Sequence, residues 1–286
     1  MYTTLISAAD LAAHIADPDW VLVDCRHDLA DLAYGRAAYA AGHLPGAVFA
    51  DMETELSGPK RGEDGVFKGR HPLPSKAALV EALRSWGVNA GTQVVAYDAH
   101  GGMYAARLWW LLRWLGHEAA AVLDGGLPAW EAIGQPVVTE VVARPRGAIE
   151  AGAPFVPTVT VTEVLENIES AKRTVVDARA ADRFRGENET IDPVGGHIPG
   201  ARNRFFKDNL QGDGRFKAAG QLREEFGAVI EDPSQAIMQC GSGVTACHNL
   251  LALEVAGLTG AALYPGSWSE WSSDPSRPVA AGRDQS

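Results

Sequence analysis

The chain of 286 residues is long enough for one large domain or for two of about 100–150 residues each. Apolar residues make up 46% of the sequence and charged residues 21%, as in ordinary globular proteins. The formal net charge of −11 argues against nucleic acids and anionic membranes as partners, because like charges repel.

The chain has three cysteines, Cys25, Cys240 and Cys247. This odd and small number does not suit a disulfide framework. Their spacing lacks the close pairs of a zinc site, and we expect neither a metal nor an organic cofactor. The segment 1–20 has no basic stretch followed by an apolar core, and no apolar run reaches the roughly 18 residues of a membrane span. We therefore expect a cytoplasmic protein without a signal peptide or membrane contact.

Short apolar runs alternate with helical patterns along the chain. In chain order, the sequence predicts strand 21–23, helix 75–86, strand 94–97, helix 103–115, strand 121–123, helix 162–170, strand 175–176, helix 218–227, strand 236–239, helix 245–256 and strand 261–264. This alternation is typical of βαβ units, so the predicted fold class is α/β, with mainly parallel sheets that carry helices on both faces. Binding sites in such sheets form in the loops after the carboxyl ends of strands.

The chain also contains an internal repeat of four short motifs in the same order. The pairs are Val-Leu-Val-Asp-Cys-Arg (21–26) with Thr-Val-Val-Asp-Ala-Arg (174–179), Gly-His-Leu-Pro-Gly-Ala (42–47) with Gly-His-Ile-Pro-Gly-Ala (196–201), Gln-Val-Val-Ala-Tyr-Asp (93–98) with Ala-Ile-Met-Gln-Cys (236–240), and Leu-Asp-Gly-Gly-Leu-Pro-Ala-Trp (123–130) with Tyr-Pro-Gly-Ser-Trp-Ser-Glu-Trp (264–271). An offset of about 150 residues predicts two similar domains rather than a solenoid. The stretch between them is rich in Pro and Gly, so we expect domains 1–140 and 158–286 and a linker 141–157.

Cys240 lies between a predicted strand and a predicted helix. Gly241 and Gly243 let the backbone turn several N–H groups inward, and the helix N-terminus adds positive potential. This environment stabilises a thiolate or a bound anion, and the hydroxyls of Ser242 and Thr245 add hydrogen-bonding groups. The alternative is a buried, inert cysteine in a glycine-rich turn.

The motif Cys-Gly-Ser-Gly-Val-Thr-Ala (240–246) resembles the active-site loop of the mercaptopyruvate sulfurtransferases in the rhodanese superfamily. The repeat, the two Gly-His motifs and the closing Gly-Ser-Trp-Ser-Glu-Trp (266–271) fit the same family, and the resemblance covers 5–280. It implies two tandem rhodanese-like domains, of which the second is catalytic. The first domain has Asp98 in place of the cysteine, and a carboxylate cannot carry a sulfane sulfur. His43 and His197 occur in both copies, so we predict structural roles for them.

The resemblance implies that Cys240 carries sulfur as a persulfide, cradled by the backbone of Gly241, Gly243, Val244 and Thr245. It also implies a proton relay of Ser242, His71 and an acid, which our alignment places at either Asp51 or Glu53.

An arginine for the donor's carboxylate is implied at Arg183, and a guanidinium does bind a carboxylate in a bidentate way. Arg179 is a further candidate, although it also suits a structural ion pair. Animal members of the family have a second carboxylate-binding arginine nine residues after the first, and this chain has Asp192 at that position. Arg202 or Arg204 would then have to substitute, or the donor would be held less tightly.

These residues predict a sulfurtransferase that moves sulfur from 3-mercaptopyruvate to cyanide or a thiol by ping-pong chemistry, with a thioredoxin-like reductant as a further partner. The loop has no basic residue from Cys240 to Thr245, which favours a monoanionic donor over thiosulfate. Thiosulfate:cyanide sulfurtransfer remains an alternative, as does a non-enzymatic sulfur carrier or interaction module. A phosphatase of related fold would need an arginine where the chain has Ala246.

Overall fold

The computed structural model describes residues 1–282, and residues 283–286, the end of the second predicted domain, lie outside the described part. The chain forms two compact units, but each contains a segment from the other half of the sequence. The first unit comprises Met1–Gly58, Pro74–Phe155 and Leu210–Phe216, and the second comprises Pro59–Leu73, Val156–Asn209 and, among the described residues, 217–282. The linear boundaries at 140 and 158 therefore stay a prediction, and segment 59–73 belongs with the second unit.

The first unit is built on a five-stranded sheet in which all strands are parallel, in the order β1-β5-β4-β2-β3. Its elements are β1 (Leu5–Ile6), α1 (Ala8–His14), β2 (Trp20–Asp24), α2 (Tyr34–Ala41), β3 (Val48–Phe49), α3 (Lys76–Ser85), β4 (Gln93–Tyr97), α4 (Ala105–Leu115), β5 (Ala120–Leu123) and α5 (Gly126–Ala132).

The second unit is built on a four-stranded parallel sheet in the order β7-β6-β8-β9. Its elements are α6 (Val161–Ser170), β6 (Thr174–Asp177), α7 (Ala181–Phe184), β7 (Arg202–Asn203), α8 (Ala219–Gly227), β8 (Ala236–Gln239), α9 (Thr245–Val255), β9 (Ala262–Leu263) and α10 (Ser267–Trp271), with 3₁₀ helices at Phe206–Asn209 and Pro233–Gln235. The predicted α/β class is confirmed, and the ends of all the predicted elements differ by at most two residues.

Both faces of each sheet are buried, as a parallel sheet with helices on both sides requires. In the first unit, Leu22 and Val95 pack in one cluster with Trp130 of α5, while their strand neighbours Val21 and Val94 are fully buried too. Successive strand side chains point to opposite faces, so burial of both sets means that both faces are covered. Each such side chain contributes about 1.5–3 kcal/mol through burial. Within the described chain, no helix is long and apolar enough to cross a bilayer.

An aspartate–arginine clasp is repeated at the carboxyl ends of β2 and β6. Arg26 Nη2 donates to Asp24 Oδ2 at 2.6 Å and to the Gly42 carbonyl at 2.6 Å. In the second unit, the guanidinium of Arg179 donates in the same way to Asp177 at 2.7 Å and to the Gly196 carbonyl at 2.7 Å. Each clasp ties the strand end to the Gly-His motif of its own domain.

The two repeated histidines have the same structural surroundings. His43 stacks on Tyr39 at 3.9 Å between ring centroids, and its Nδ1 lies 2.8 Å from the Tyr39 carbonyl. His197 stacks on Phe184 at 3.8 Å, and its Nδ1 lies 2.8 Å from the Phe184 carbonyl. Because the first copy, which has Asp98 in place of Cys240, builds the same arrangement, the fold accounts for both histidines.

Asp98 follows β4 and fills the loop at the end of the first sheet with its own carboxylate. Oδ1 accepts hydrogen bonds from the backbone N–H groups of His100 at 2.7 Å and Gly102 at 3.0 Å. Oδ2 accepts hydrogen bonds from those of Tyr104 at 2.8 Å and Ala105 at 2.9 Å. Asp98 is fully buried, so water cannot reach this loop. Its carboxylate therefore accepts hydrogen bonds from four N–H groups that would otherwise have no acceptor.

We expect Asp98→Ala to lower the free energy of unfolding by about 3 kcal/mol, because buried N–H groups lose their acceptor. Urea unfolding followed by circular dichroism measures the difference. Asp28→Ala is the matched control, since the exposed Asp28 accepts only the local hydrogen bond from Ala30 N at 2.8 Å. Equal unfolding midpoints for the two variants would contradict this account of the loop.

Candidate active site

Cys240 directly follows β8, a central strand of the second sheet, and α9 begins five residues later. Its Sγ accepts a hydrogen bond from Gly243 N at 3.1 Å, and the residue is 1% exposed. Gly243 has a φ of +76°, and a side chain there would collide with the Pro265 carbonyl. Val244 precedes the helix and is buried, and Thr245 is its first residue. The loop thus curls around the sulfur at the positive end of α9.

The short helix α10 binds the main chain of the Cys240 loop through three hydrogen bonds. Cys240 N donates to Ser267 Oγ at 3.1 Å, and the Cys240 carbonyl accepts from Trp268 N at 2.9 Å. The Gly241 carbonyl accepts from Ser269 N at 2.9 Å. The nucleophile candidate is therefore fixed by main-chain contacts, independently of its side chain.

The structure brings Ser242 and His71 together. Ser242 Oγ lies 2.8 Å from His71 Nδ1, and both residues are buried. His71 reaches this position because segment 59–73 folds with the second unit. The segment is anchored one residue earlier, where Arg70 N donates to Ser269 Oγ at 3.0 Å. A hydroxyl and an imidazole in hydrogen-bonding distance can exchange a proton.

The two candidate acids belong to the first unit. Asp51 Oδ1 accepts hydrogen bonds from Glu53 N at 2.9 Å and Thr54 N at 3.2 Å, and its Oδ2 lies 3.5 Å from Arg36. Glu53 Oε1 lies 3.9 Å from His27 Nε2. Both residues thus have local partners in their own unit, and the acid of the relay stays a prediction.

Arg183 at the end of α7 lies against carboxylates and near the Cys240 loop. Its Nη2 contacts Glu189 Oε1 at 2.9 Å and Asp192 Oδ2 at 3.3 Å. A methyl group built on Gly241 would lie 3.8 Å from Arg183 Nη1. Burial raises the pKa of Asp192, although the neighbouring guanidinium groups act in the opposite direction. Position 192, where a second arginine was considered, thus holds a carboxylate that Arg183 contacts.

Arg179 is enclosed in the fold. Its side chain is 1% exposed, and besides the clasp with Asp177 it contacts Glu189 at 3.4 Å. Its guanidinium also lies over the Trp268 ring, 4.7 Å from the centroid. These contacts favour the structural interpretation of Arg179 over a direct contact with a substrate.

Arg202 and Arg204, the substitutes considered for the missing arginine, have partners elsewhere in the second unit. Arg202 Nη1 donates to the Val229 carbonyl at 2.6 Å, and Arg204 Nη2 contacts Glu225 Oε2 at 2.5 Å. Arg70 is the second arginine, besides Arg183, that pairs with Asp192. The sequence reasoning missed Arg70, although its position directly before the predicted relay histidine was a signal.

The family model of the rhodanese-like domain matches residues 7–133 and 160–274 of this chain. The chain belongs to the rhodanese family. It is 46% identical to the probable 3-mercaptopyruvate sulfurtransferase of Pseudomonas aeruginosa, over 97% of this chain and 98% of that one. A putative thiosulfate sulfurtransferase of Mycobacterium tuberculosis is 40% identical, over 97% of each chain.

Solved rhodanese structures agree with this assignment. The 3-mercaptopyruvate sulfurtransferase of Leishmania major superposes with a TM-score of 0.82 at 32% identity, covering 95% of this chain and 74% of that one. The corresponding Escherichia coli enzyme superposes with a TM-score of 0.81 at 33% identity, covering 94% of this chain and all 100% of its own. The chain is therefore an enzyme, a sulfurtransferase of the rhodanese family.

The sequence did not indicate a role for Ser267, the first residue of α10, which binds the Cys240 loop. Its φ is +52°, a left-handed conformation that is unfavourable for a residue with a side chain. The hydroxyl offsets this cost, because Oγ accepts from Cys240 N and donates to the Tyr264 carbonyl at 2.9 Å. The internal repeat carried the signal: Ser267 aligns with Gly126, whose φ is +59°.

We expect Ser267→Ala to destabilise the protein more than Ser267→Gly, by about 1 kcal/mol, because both lose the hydrogen bonds but only glycine relieves the left-handed backbone. Thermal and urea unfolding of the two variants beside the wild type measure the order. A less stable glycine variant would mean that the backbone conformation at this position carries no strain.

Proposed function

We propose that the protein takes sulfur from 3-mercaptopyruvate and passes it, through a persulfide on Cys240, to cyanide or a thiol. The observation that carries this proposal is the Cys240 loop, in which Gly243 N donates to Sγ at 3.1 Å at the start of α9. Backbone N–H groups and a helix N-terminus stabilise a thiolate and also the terminal sulfur of a persulfide.

In the first half-reaction, the Cys240 thiolate attacks the sulfur of the donor. A sulfur–sulfur bond forms and the carbon–sulfur bond breaks, so its electron pair stays on the carbon as the enolate of pyruvate. The proton of the donor's thiol ends on this carbon. Ser242 and His71, 2.8 Å apart, are the groups that we assign to this proton transfer. The acid behind His71 would be Asp51 or Glu53.

In the second half-reaction, the acceptor attacks the outer sulfur of the persulfide, and the Cys240 thiolate leaves. Cyanide then yields thiocyanate, and a thiol yields a new persulfide. A thioredoxin-like dithiol would release hydrogen sulfide and become a disulfide. The two half-reactions follow one another on the same cysteine, which is ping-pong catalysis. All three cysteines are free, and we place the enzyme in the reducing cytoplasm, away from nucleic acids and membranes.

Thiosulfate is the second candidate donor, because relatives with both names match the chain over nearly its full length. Thiosulfate is a dianion, whereas 3-mercaptopyruvate carries one carboxylate charge. The segment from Cys240 to Thr245 has no basic side chain. The nearby Arg183 is already in contact with the carboxylate of Asp192. This charge pattern favours the monoanionic donor.

We expect Cys240→Ser to lose sulfur transfer to cyanide by at least about 10³-fold, as other enzymes do without their nucleophile. Mass spectrometry of the wild type after donor treatment should find one added sulfur atom on Cys240. Cys247→Ser is the matched control, because Cys247 is fully buried and its Sγ donates to the Gly243 carbonyl at 3.3 Å. A fully active Cys240→Ser protein would refute the mechanism. A wild type that forms the persulfide once and never turns over would be a carrier.

We expect Ser242→Ala and His71→Asn each to lower kcat with 3-mercaptopyruvate by about 10²-fold, the usual effect of losing a general acid or base. With thiosulfate the loss should be much smaller, because the sulfite that leaves needs no proton on carbon. Initial rates with both donors, checked against thermal stability, test this. The exposed Ser276 provides a serine-to-alanine control. Equal losses with both donors would assign the pair to folding rather than to proton transfer.

A further inference from the structure

Two arginines of the second unit flank Gly241, the residue that follows Cys240. A methyl group built on Gly241 would lie 2.8 Å from Arg70 Nη2 and 3.8 Å from Arg183 Nη1. Gly241 has no side chain, so the space in which this methyl group would stand lies beside both guanidinium groups. Two guanidinium groups beside one small volume are a suitable site for a carboxylate.

Both arginines are bound to the same carboxylate. Arg70 Nη1 pairs with Asp192 Oδ1, and Arg183 Nη2 lies 3.3 Å from Asp192 Oδ2. The side chain of Asp192 is only 3% exposed, whereas those of Arg70 and Arg183 are 21% and 19% exposed. A molecule that approaches this cluster therefore meets the cations, while the anion stays behind them.

Arg70 is held by its backbone and has hydrogen-bonding capacity to spare. Its N–H donates to Ser269 Oγ at 3.0 Å, which ties it to α10 and through α10 to the Cys240 loop. Gly69, the residue before it, packs against Gly266 with a φ of +108°. Among the described residues, Arg70 Nε is buried without a hydrogen-bond partner. The backbone of this segment is thus fixed, while the guanidinium still has an unused donor.

The cluster as a whole is balanced in charge. Besides the pair formed by Arg70 and Asp192, Glu189 contacts both Arg183 and Arg179. Three cations thus face three carboxylates when Asp177, the clasp partner of Arg179, is included. One further negative charge at the exposed side gains from the nearest guanidinium groups, but it makes the cluster net negative, and that charge opposes a second one.

We infer that Arg70 and Arg183 together bind the carboxylate of the sulfur donor beside Gly241, and that Asp192 makes the site select monoanionic donors over dianionic ones. This inference rests on the proposed function and extends it to the substrate class, a thiol with a single carboxylate. Arg70 would then be the second donor-binding arginine, supplied by segment 59–73.

Steady-state sulfur transfer to cyanide with 3-mercaptopyruvate and thiosulfate tests the inference. Arg70→Ala should raise the KM for 3-mercaptopyruvate by roughly 10–100-fold, the effect of losing one hydrogen bond to a charged group, and should lower kcat much less. Pyruvate, which keeps the carboxylate, should lose its inhibition of this variant in the same proportion. Arg185→Ala is the matched control, because Arg185 pairs with the exposed Glu187 and should leave both constants within about twofold.

Asp192→Asn tests the selectivity. Removing its charge should raise the ratio of kcat/KM for thiosulfate to that for 3-mercaptopyruvate by about tenfold, because the repulsion falls on the dianion. An unchanged ratio would overturn the role of Asp192. If Arg70→Ala does not fold, Arg70→Lys serves instead; it keeps the charge without the fork and should still raise KM.

The two possible failures are distinguishable. If Arg70 variants behave like Arg185→Ala while the wild type forms the Cys240 persulfide from 3-mercaptopyruvate, only the assignment of Arg70 fails. If the wild type forms no such persulfide and transfers no sulfur from this donor, the proposed function itself fails.

Discussion

The loop that follows a central strand turns backbone N–H groups inward, and these groups must find an acceptor. The two domains meet this demand in different ways. In the first domain the Asp98 carboxylate accepts four hydrogen bonds, and in the second the sulfur of Cys240 accepts one from Gly243. The same turn of the chain therefore surrounds a carboxylate in one copy and the sulfur of a cysteine in the other.

The internal repeat separates structural residues from chemical ones within a single chain. The clasp arginines Arg26 and Arg179 have the same partners in both copies, and so they belong to the fold. Two positions that differ between the copies lie in or beside the loop. Cys240 stands where the first copy has Asp98, and the left-handed Ser267 stands where the first copy has a glycine. A chain that contains both copies thus supplies its own comparison.

Periodicity in the sequence predicted the longer helices and strands, because burial repeats along them at regular intervals. It missed the two-residue strands β1, β3 and β7 and the short helices α1, α2, α5, α7 and α10, because segments this short show little periodicity. The pair of Ser242 and His71 came from resemblance, because no local pattern links residues 171 positions apart. Arg70 lies in an irregular segment, and sequence distance alone could not place it beside Gly241. From the sequence alone, Asp192 indicated the loss of a carboxylate-binding arginine. In the structure it pairs with Arg70.

The sealed loop of the first domain also limits which substitutions position 98 can tolerate. A cysteine at position 98 would offer one sulfur to N–H groups that now share two carboxylate oxygens. The Asp98→Cys substitution alone would therefore cost stability, and the N–H groups of the loop would need a second acceptor before this position could tolerate a thiol.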